Sequence, residues 1–335
     1  MHSFAKSTPC HLKIYNSIDE FIPVNDAVVT IGTFDGVHIG HQKIISRLKE
    51  IASTINGEVV VLTFFPHPRM VLFPDDHGLQ LLNTMEEKKI LLEKYGVDHL
   101  IIHPFSKQFS RLSSTEFVRD ILVNKIGVKK LVIGYDHHFG RNREGSFNEL
   151  TDLAPIYNFE VEQIPEQDVH DVAVSSTKIR NALLDGEVHI ATEFLGYEYS
   201  LTGNVAEGNK IGRELGFPTA NIKVEENYKL IPANGVYAVR VEIGNSEKQQ
   251  TTNNKQQILS GALNIGTRPT FDNGERSIEV FIFDFDKDIY GETITITFAE
   301  RLREELKFPD KESLIAQMHK DVENTKLILQ PSTNQ

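Results

Sequence analysis

A buried strand that runs into a glycine-punctuated turn and straight on into a helix commits a chain to very few folds. Val28–Ile31 is a run of β-branched residues that reads as a buried strand. Gly32, Gly36 and Gly40 interrupt the next stretch, and Ile44, Ile45, Leu48 and Ile51 then recur at helical spacing. His38 and His41, three apart at the helix start, share a face. A helix N-terminus presents unpaired N–H groups and a partial positive charge, so two imidazoles and glycines there make a phosphate pocket. Such equipment suits phosphoryl or nucleotidyl transfer, which depends on positioning and charge stabilisation.

The strand–helix alternation continues. His11–Tyr15 reads as a strand, and Val59–Phe64 as another that ends in prolines at Phe65–Pro68. Thr84 with Glu87 forms a capping box for a helix to Tyr95, and Ser113 with Glu116 a second for a helix to about Ile126. His99–His103 and Lys130–Tyr135 are further strands, the latter followed by DHHFGRNREG at Asp136–Gly145. This pattern predicts a parallel sheet with helices on both faces, whose ligands bind at the carboxyl ends of the strands. The glycine turn, FPHP and DHHFG all follow strands and should converge on one rim. His67 reads as a ligand contact or as a loop residue. Val174–Arg180, VSSTKIR, opens a helix; its hydroxyls and cations read as an ordinary cap or as a second anion cradle.

GTFDGVHIGHQ resembles the HxGH signature of the nucleotidyltransferase superfamily, in the branch found in bifunctional riboflavin kinase/FAD synthetases. The later SSTKIR is similar to the second motif of that family, in the expected order. The resemblance implies a Rossmann-like FMN adenylyltransferase domain over residues 1–186. It implies that His38 and His41 act in catalysis, and that Gly32, Phe34, Gly36, Gly40, Ser175, Ser176, Thr177 and Arg180 bind nucleotide. Pro66, His67 and Asp136 would lie near the flavin.

The chain has 335 residues, enough for two domains, and a net charge of −12. That acidity argues against a sequence-independent nucleic-acid binder, so any polyphosphate must be held by local cations and helix termini. Cys10 is the only cysteine, and no apolar run reaches membrane-spanning length, so a reducing, cytoplasmic setting is expected. Self-association is left open.

After the short helix Val188–Leu195 and Gly196, strands dominate: Tyr199–Val205, Val236–Ile243, Ile258–Ile265, Ile278–Phe285 and Thr293–Phe298. These predict a small antiparallel barrel, and Asp310 caps a terminal helix. Residues 244–257 read as a polar hairpin loop. GNVAEGNK at Gly203–Lys210 fails as a P-loop, because Asn209 precedes the lysine and no following helix is expected. In GRELGFPTAN, Thr219 and Asn221 alternate along an extended segment, so their oxygens share a face as hard ligands suited to Mg2+. Glu279 alternates with Phe281, Phe283 and Phe285, and reads either as an exposed edge residue or as a desolvated base with a raised pKa.

GRELGFPTAN together with GALNIGTRPTF at Gly261–Phe271 resembles the riboflavin kinase domain, here over residues 187–330. The resemblance implies Glu279 as catalytic base, Thr219 and Asn221 on Mg2+, and Gly208, Gly212 and Pro218 on ATP. Arg301 and Arg303 would lie near flavin. The family has a histidine where this chain has Phe281. The chain as a whole is then expected to phosphorylate riboflavin to FMN and adenylylate FMN to FAD, using ATP twice. A single-activity adenylyltransferase for another phosphate ester and a flavin-responsive regulator without catalysis are the alternatives.

Overall fold

The computed structural model describes residues 11–75, 78–135, 137–165, 174–208, 211–244, 258–267 and 276–330. The chain divides into two compact units, residues 1–176 and 177–335.

The first unit is built on six parallel strands in the order β1-β4-β3-β2-β5-β6. They are β1 (Lys13–Tyr15), β2 (Ala27–Ile31), β3 (Val59–Phe65), β4 (His99–Pro104), β5 (Val128–Gly134) and β6 (Glu160–Ile164). Side chains alternate between the two faces of a strand, so each apolar run serves two cores. Val28, Val59, Val61, Leu100 and Ile102 pack on one face with Ile45 and Leu48 of α1 (Ile39–Ile55) and Leu92 of α2 (Met85–Tyr95). Val29, Ile31, Val60, Leu62, Leu131 and Ile133 pack on the other with Phe117, Leu122 and Ile126, and with Leu150 and Ala154 of α3 (Phe147–Tyr157). The chain runs outward through β2, β3 and β4, then crosses to place β5 on the free side of β2. This reversal opens a crevice at the carboxyl end of β2.

Both capping boxes form, at Thr84/Glu87 and Ser113/Glu116. The second helix is α-helical only over Ser114–Glu116 and is wound as a π-helix over Phe117–Ile126. The pattern did not point to α3, which carries Pro155 inside it, or to the edge strand β6.

The second unit begins with the body of α4 (Ser176–Asp185) and α5 (Val188–Leu195). Ala233 N–H donates to the Leu183 carbonyl at 2.9 Å, and Arg301 Nη1 to the Asp185 carbonyl at 3.3 Å. Six antiparallel strands close a barrel in the order β10-β11-β8-β7-β12-β9. They are β7 (Ser200–Ala206), β8 (Thr219–Lys223), β9 (Gly235–Ile243), β10 (Ile258–Thr267), β11 (Arg276–Ile282) and β12 (Thr293–Arg303). Leu201, Val241, Leu263, Val280, Ile294 and Ile296 are completely buried. The terminal helix α6 (Lys311–Leu329) is capped by Asp310, which accepts from Ser313 N–H at 2.7 Å. A single helical turn, Ile211–Glu214, comes after GNVAEGNK where no helix was expected, and it is too short to make a P-loop. Among the described residues no helix is long and apolar enough to cross a membrane.

Candidate active sites

In the first unit the chain leaves β2 at Gly32, whose N–H donates to the Leu62 carbonyl at 3.0 Å, and enters α1 at His38. The connecting turn is strained. Phe34, Gly36 and Val37 have φ of 47°, 86° and 35°. Positive φ is free for glycine, but it costs a non-glycine residue about 1–3 kcal/mol, and a β-branched valine is among the least tolerant. The turn holds because Phe34 and Val37 are 1% and 0% exposed, locked into the core. Gly32 leaves room for the Phe34 ring, which a Cβ there would meet at 3.1 Å.

This turn aims two imidazoles. His38 sits at the N-cap of α1 without capping through its side chain, and its ring stacks on that of His41 at 3.7 Å. Phe34 backs His41 at 4.8 Å between centroids. His41 Nδ1 is buried without a hydrogen-bond partner among the described residues. Burial first, then the neighbouring His38 and Lys88, hold the His41 imidazole well below its ordinary pKa. It is therefore neutral at pH 7 and can donate from one ring nitrogen. Gly40 is buried in the first turn of α1.

Ser176 joins this turn: its hydroxyl donates to the Asp35 carbonyl at 2.9 Å, which brings the start of the second motif against the first. Ser175 is half-buried and Thr177 exposed. Arg180 lies one helical turn beyond Ser176 on α4. Pro66 follows a cis peptide at the end of β3, and His67 caps the short helix Pro68–Leu72, its Nδ1 accepting from Arg69 N–H at 3.2 Å. Asp136 lies outside the described residues. Sequence reasoning missed Lys88, which is 4% exposed and donates from Nζ to the Thr33 carbonyl at 2.7 Å. Its signal was a lysine between Met85 and Leu92 on the inward stripe of α2.

In the second unit the barrel register assembles the site. Glu279 on β11 lies opposite Asn221 on β8 and Asn264 on β10, and Phe281 lies opposite Thr219. Directly opposed residues share a face, so one row of polar side chains crosses three strands. Thr219 Oγ1 donates to Glu279 Oε2 at 3.4 Å. The expected alternation of Glu279 with Phe281, Phe283 and Phe285 is corrected at its end. β11 ends at Ile282 and turns at Asp284, with φ 53°, so the alternation stops before Phe285. Glu279 is half-buried, while Val280 takes the inward place.

Two glycines let backbone crowd this row. A Cβ on Gly208 would come within 2.0 Å of Asn221 Nδ2, and one on Gly212 within 2.3 Å of the Phe217 carbonyl and 3.1 Å of Thr219 Oγ1. Pro218, exposed, leads into β8. Beside the row lies a cavity of about 340 Å3 lined by Phe217, Phe281, Phe283 and, from α6, His319, Val322 and Lys326. Phe217 meets Phe281 edge-on at 5.3 Å and His319 at 5.0 Å. Arg301 and Arg303 are engaged structurally. Arg301 Nη2 donates to the Asn234 carbonyl at 2.6 Å, and Arg303 pairs with Asp321 of α6 at 2.7 Å.

Among the described residues no three His, Cys, Asp or Glu side chains converge on one point as a metal cluster. The oxygen set of Thr219, Asn221 and Glu279, with a single carboxylate, fits a hard cation that keeps water and phosphate ligands.

Both halves of the chain are similar to known proteins. Residues 23–178 match the FAD synthetase family, and residues 195–329 the riboflavin kinase family. The bifunctional riboflavin kinase/FMN adenylyltransferase of Listeria monocytogenes is 41% identical over 311 residues, 92% of this chain and 94% of that protein. The protein of the same name from Haemophilus influenzae is 37% identical over 298 residues, 89% and 92% of the two chains. A crystal structure titled as a macrolide-efflux protein from Streptococcus pneumoniae overlays with a TM-score of 0.83 at 32% identity, covering 94% of this chain and 99% of that one. The efflux in that title belongs to that protein; the likeness here is one of fold.

Proposed function

This chain belongs to the bifunctional riboflavin kinase/FMN adenylyltransferase family and builds FAD from riboflavin; from that premise we propose how its residues divide the work. Residues 187–330 phosphorylate riboflavin and residues 1–186 adenylylate FMN. The observation that carries the kinase assignment is the register that lays Glu279 opposite Asn221, with the Thr219 hydroxyl beside it.

In the kinase half, Glu279 accepts the proton of the flavin 5′-hydroxyl as that oxygen attacks the γ-phosphorus of ATP and ADP leaves. Thr219 and Asn221 would hold Mg2+, which would neutralise charge on the phosphates. Gly208, Gly212 and Pro218 keep the backbone close to the nucleotide. The aromatic wall of Phe217 and Phe281 suits a flat ring system next to the carboxylate. Arg303 ties α6, a wall of that cavity, to β12, and Arg301 ties β12 to the loop at Asn234. We assign both to holding the flavin pocket in shape.

In the adenylyltransferase half, a phosphate oxygen of FMN attacks the α-phosphorus of ATP, and pyrophosphate leaves. No base is needed, because the attacking phosphate is already ionised. His38 and neutral His41 donate to the phosphate oxygens at the start of α1. Gly32, Phe34, Gly36 and Gly40 shape the turn, and Ser175, Ser176, Thr177 and Arg180 approach the triphosphate. Pro66, His67 and Asp136 edge the flavin. Its partners are the small molecules riboflavin, FMN and ATP, with no nucleic acid or membrane among them, and we place the reaction in the cytoplasm.

The test supplies riboflavin, ATP and Mg2+ and follows FMN and FAD by chromatography. His41→Ala should accumulate FMN, with FAD formation slowed about 10²- to 10³-fold. Normal FAD production by this variant would remove His41 from the chemistry.

A further inference from the structure

Lys88 is a lysine buried to 4% exposure, a state rarely kept without a use. It stands on α2, not on the turn that carries the histidines. Its Nζ reaches under that turn to the Thr33 carbonyl at 2.7 Å. Burial lowers the pKa of the Lys88 ammonium, and the negative charge of Asp35, 2% exposed, opposes that lowering; Asp35 Oδ1 accepts from Leu82 N–H at 2.9 Å. His41 feels the charge of Lys88 as well as that of the His38 ring stacked on it at 3.7 Å. The whole chain is acidic, at −12. A site for polyphosphate in such a chain depends on local cations, and neutral His41 adds none to Arg180.

We propose that Lys88 is a positioning residue of the adenylyl-transfer site, a buried ammonium that fixes the Thr33–His38 turn and holds positive potential beneath the histidines. This rests on the reading of that turn as the adenylyl-transfer site. A charge in a water-excluded place acts on developing negative charge far more strongly than one in solvent, and it needs no reorganisation. Lys88 acts through the turn and not by touching the phosphates. Its loss should therefore lower kcat for FAD formation and leave the KM for FMN nearly unchanged.

Lys88→Met keeps the length and removes the charge. The Thr33 carbonyl is not orphaned, because Thr63 Oγ1 also donates to it at 3.2 Å. The full chain is assayed for FMN-to-FAD conversion, for riboflavin phosphorylation and for its thermal melt. The expected result is a kcat for FAD formation lowered about 10- to 100-fold, below the about 10²- to 10³-fold of a donor in direct contact. Riboflavin phosphorylation should keep its rate.

Lys88→Met removes a positive charge that acts on Asp35, so the double variant Lys88→Met/Asp35→Asn is measured beside it. If the lysine serves the chemistry, the double variant regains the wild-type melt but stays slow. If it regains both melt and rate, the lysine only balances Asp35 and the proposal is overturned. A wild-type kcat in folded Lys88→Met overturns it as well. So does loss of the native melt in both variants, which would make Lys88 a folding residue. Should the wild-type chain itself form no FAD, the underlying reading of the turn fails and not the role of the lysine within it.

Discussion

Glu279 and Asn221 face one another across adjacent strands, with Thr219 a hydrogen bond away, and this small group sets the kinase prediction. Glu279→Gln keeps the shape and removes proton acceptance. FMN formation should fall about 10²- to 10⁴-fold, while FAD formation from supplied FMN persists; an unchanged kinase rate excludes Glu279 as the base. A second prediction concerns pH. The folded chain holds His41 well below its ordinary value of 6.5, mainly by burial. Burial likewise lowers His103, against the opposing pull of Asp19. The unfolded chain thus binds more protons near that pH, so stability is full above about 6.5 and falls as pH drops below it. For His41 the slope is at most about 1.4 kcal/mol per pH unit. The melting temperature of the first unit should drop between pH 7 and 5.5, and His41→Asn should flatten the drop. An equal drop in the variant would show that His41 does not titrate there. His38, His41, Thr219 and Asn221 were legible in sequence because their spacing within one element already places them together. Lys88 was missed: its place on the inward stripe of α2 was a signal, but its partner, the Thr33 carbonyl, lies 55 positions away and carries none.

At the level of elements, glycines matter where two chain segments crowd each other. Gly208 gives room to the Asn221 amide, which a methyl group would displace. Gly208→Ala should raise the Mg2+ concentration needed for half-maximal FMN formation several-fold, with little change in FAD formation from FMN. A magnesium titration that coincides with wild type would mean that Asn221 does not hold the ion. Most helices and strands were readable from periodicity and capping. Several features escaped, among them the single turn Ile211–Glu214. The π-winding of Phe117–Ile126 comes from packing and not from residue type. α3 carries Pro155, a residue that argues against a helix interior. The short β6 at the sheet edge, with its EVEQI sequence, shows little apolar signal. Cross-strand register was also invisible, and that register is what puts Glu279 against Asn221.

For the whole molecule, the decisive region is α4. Its Ile179 and Leu183 are completely buried, and the Leu183 and Asp185 carbonyls accept from Ala233 and Arg301 within the second unit. A fragment of residues 177–335 should melt about 5 °C or more above one of residues 187–335. Each lost hydrogen bond is worth about 0.5–1.5 kcal/mol, and burial of the two apolar side chains adds to that. Both fragments should convert riboflavin to FMN and make no FAD, as circular dichroism melts with product chromatography would show. Equal melts would place the boundary at residue 186. Meanwhile Ser176, the first residue of the same helix, bonds to the Asp35 carbonyl within the first unit. This sharing bears on gene history. A genome that split this reading frame into two single-purpose genes would have no clean place to cut. Each descendant would have to inherit its own copy of the helix, and a helix duplicated at the break would be the scar of such a fission.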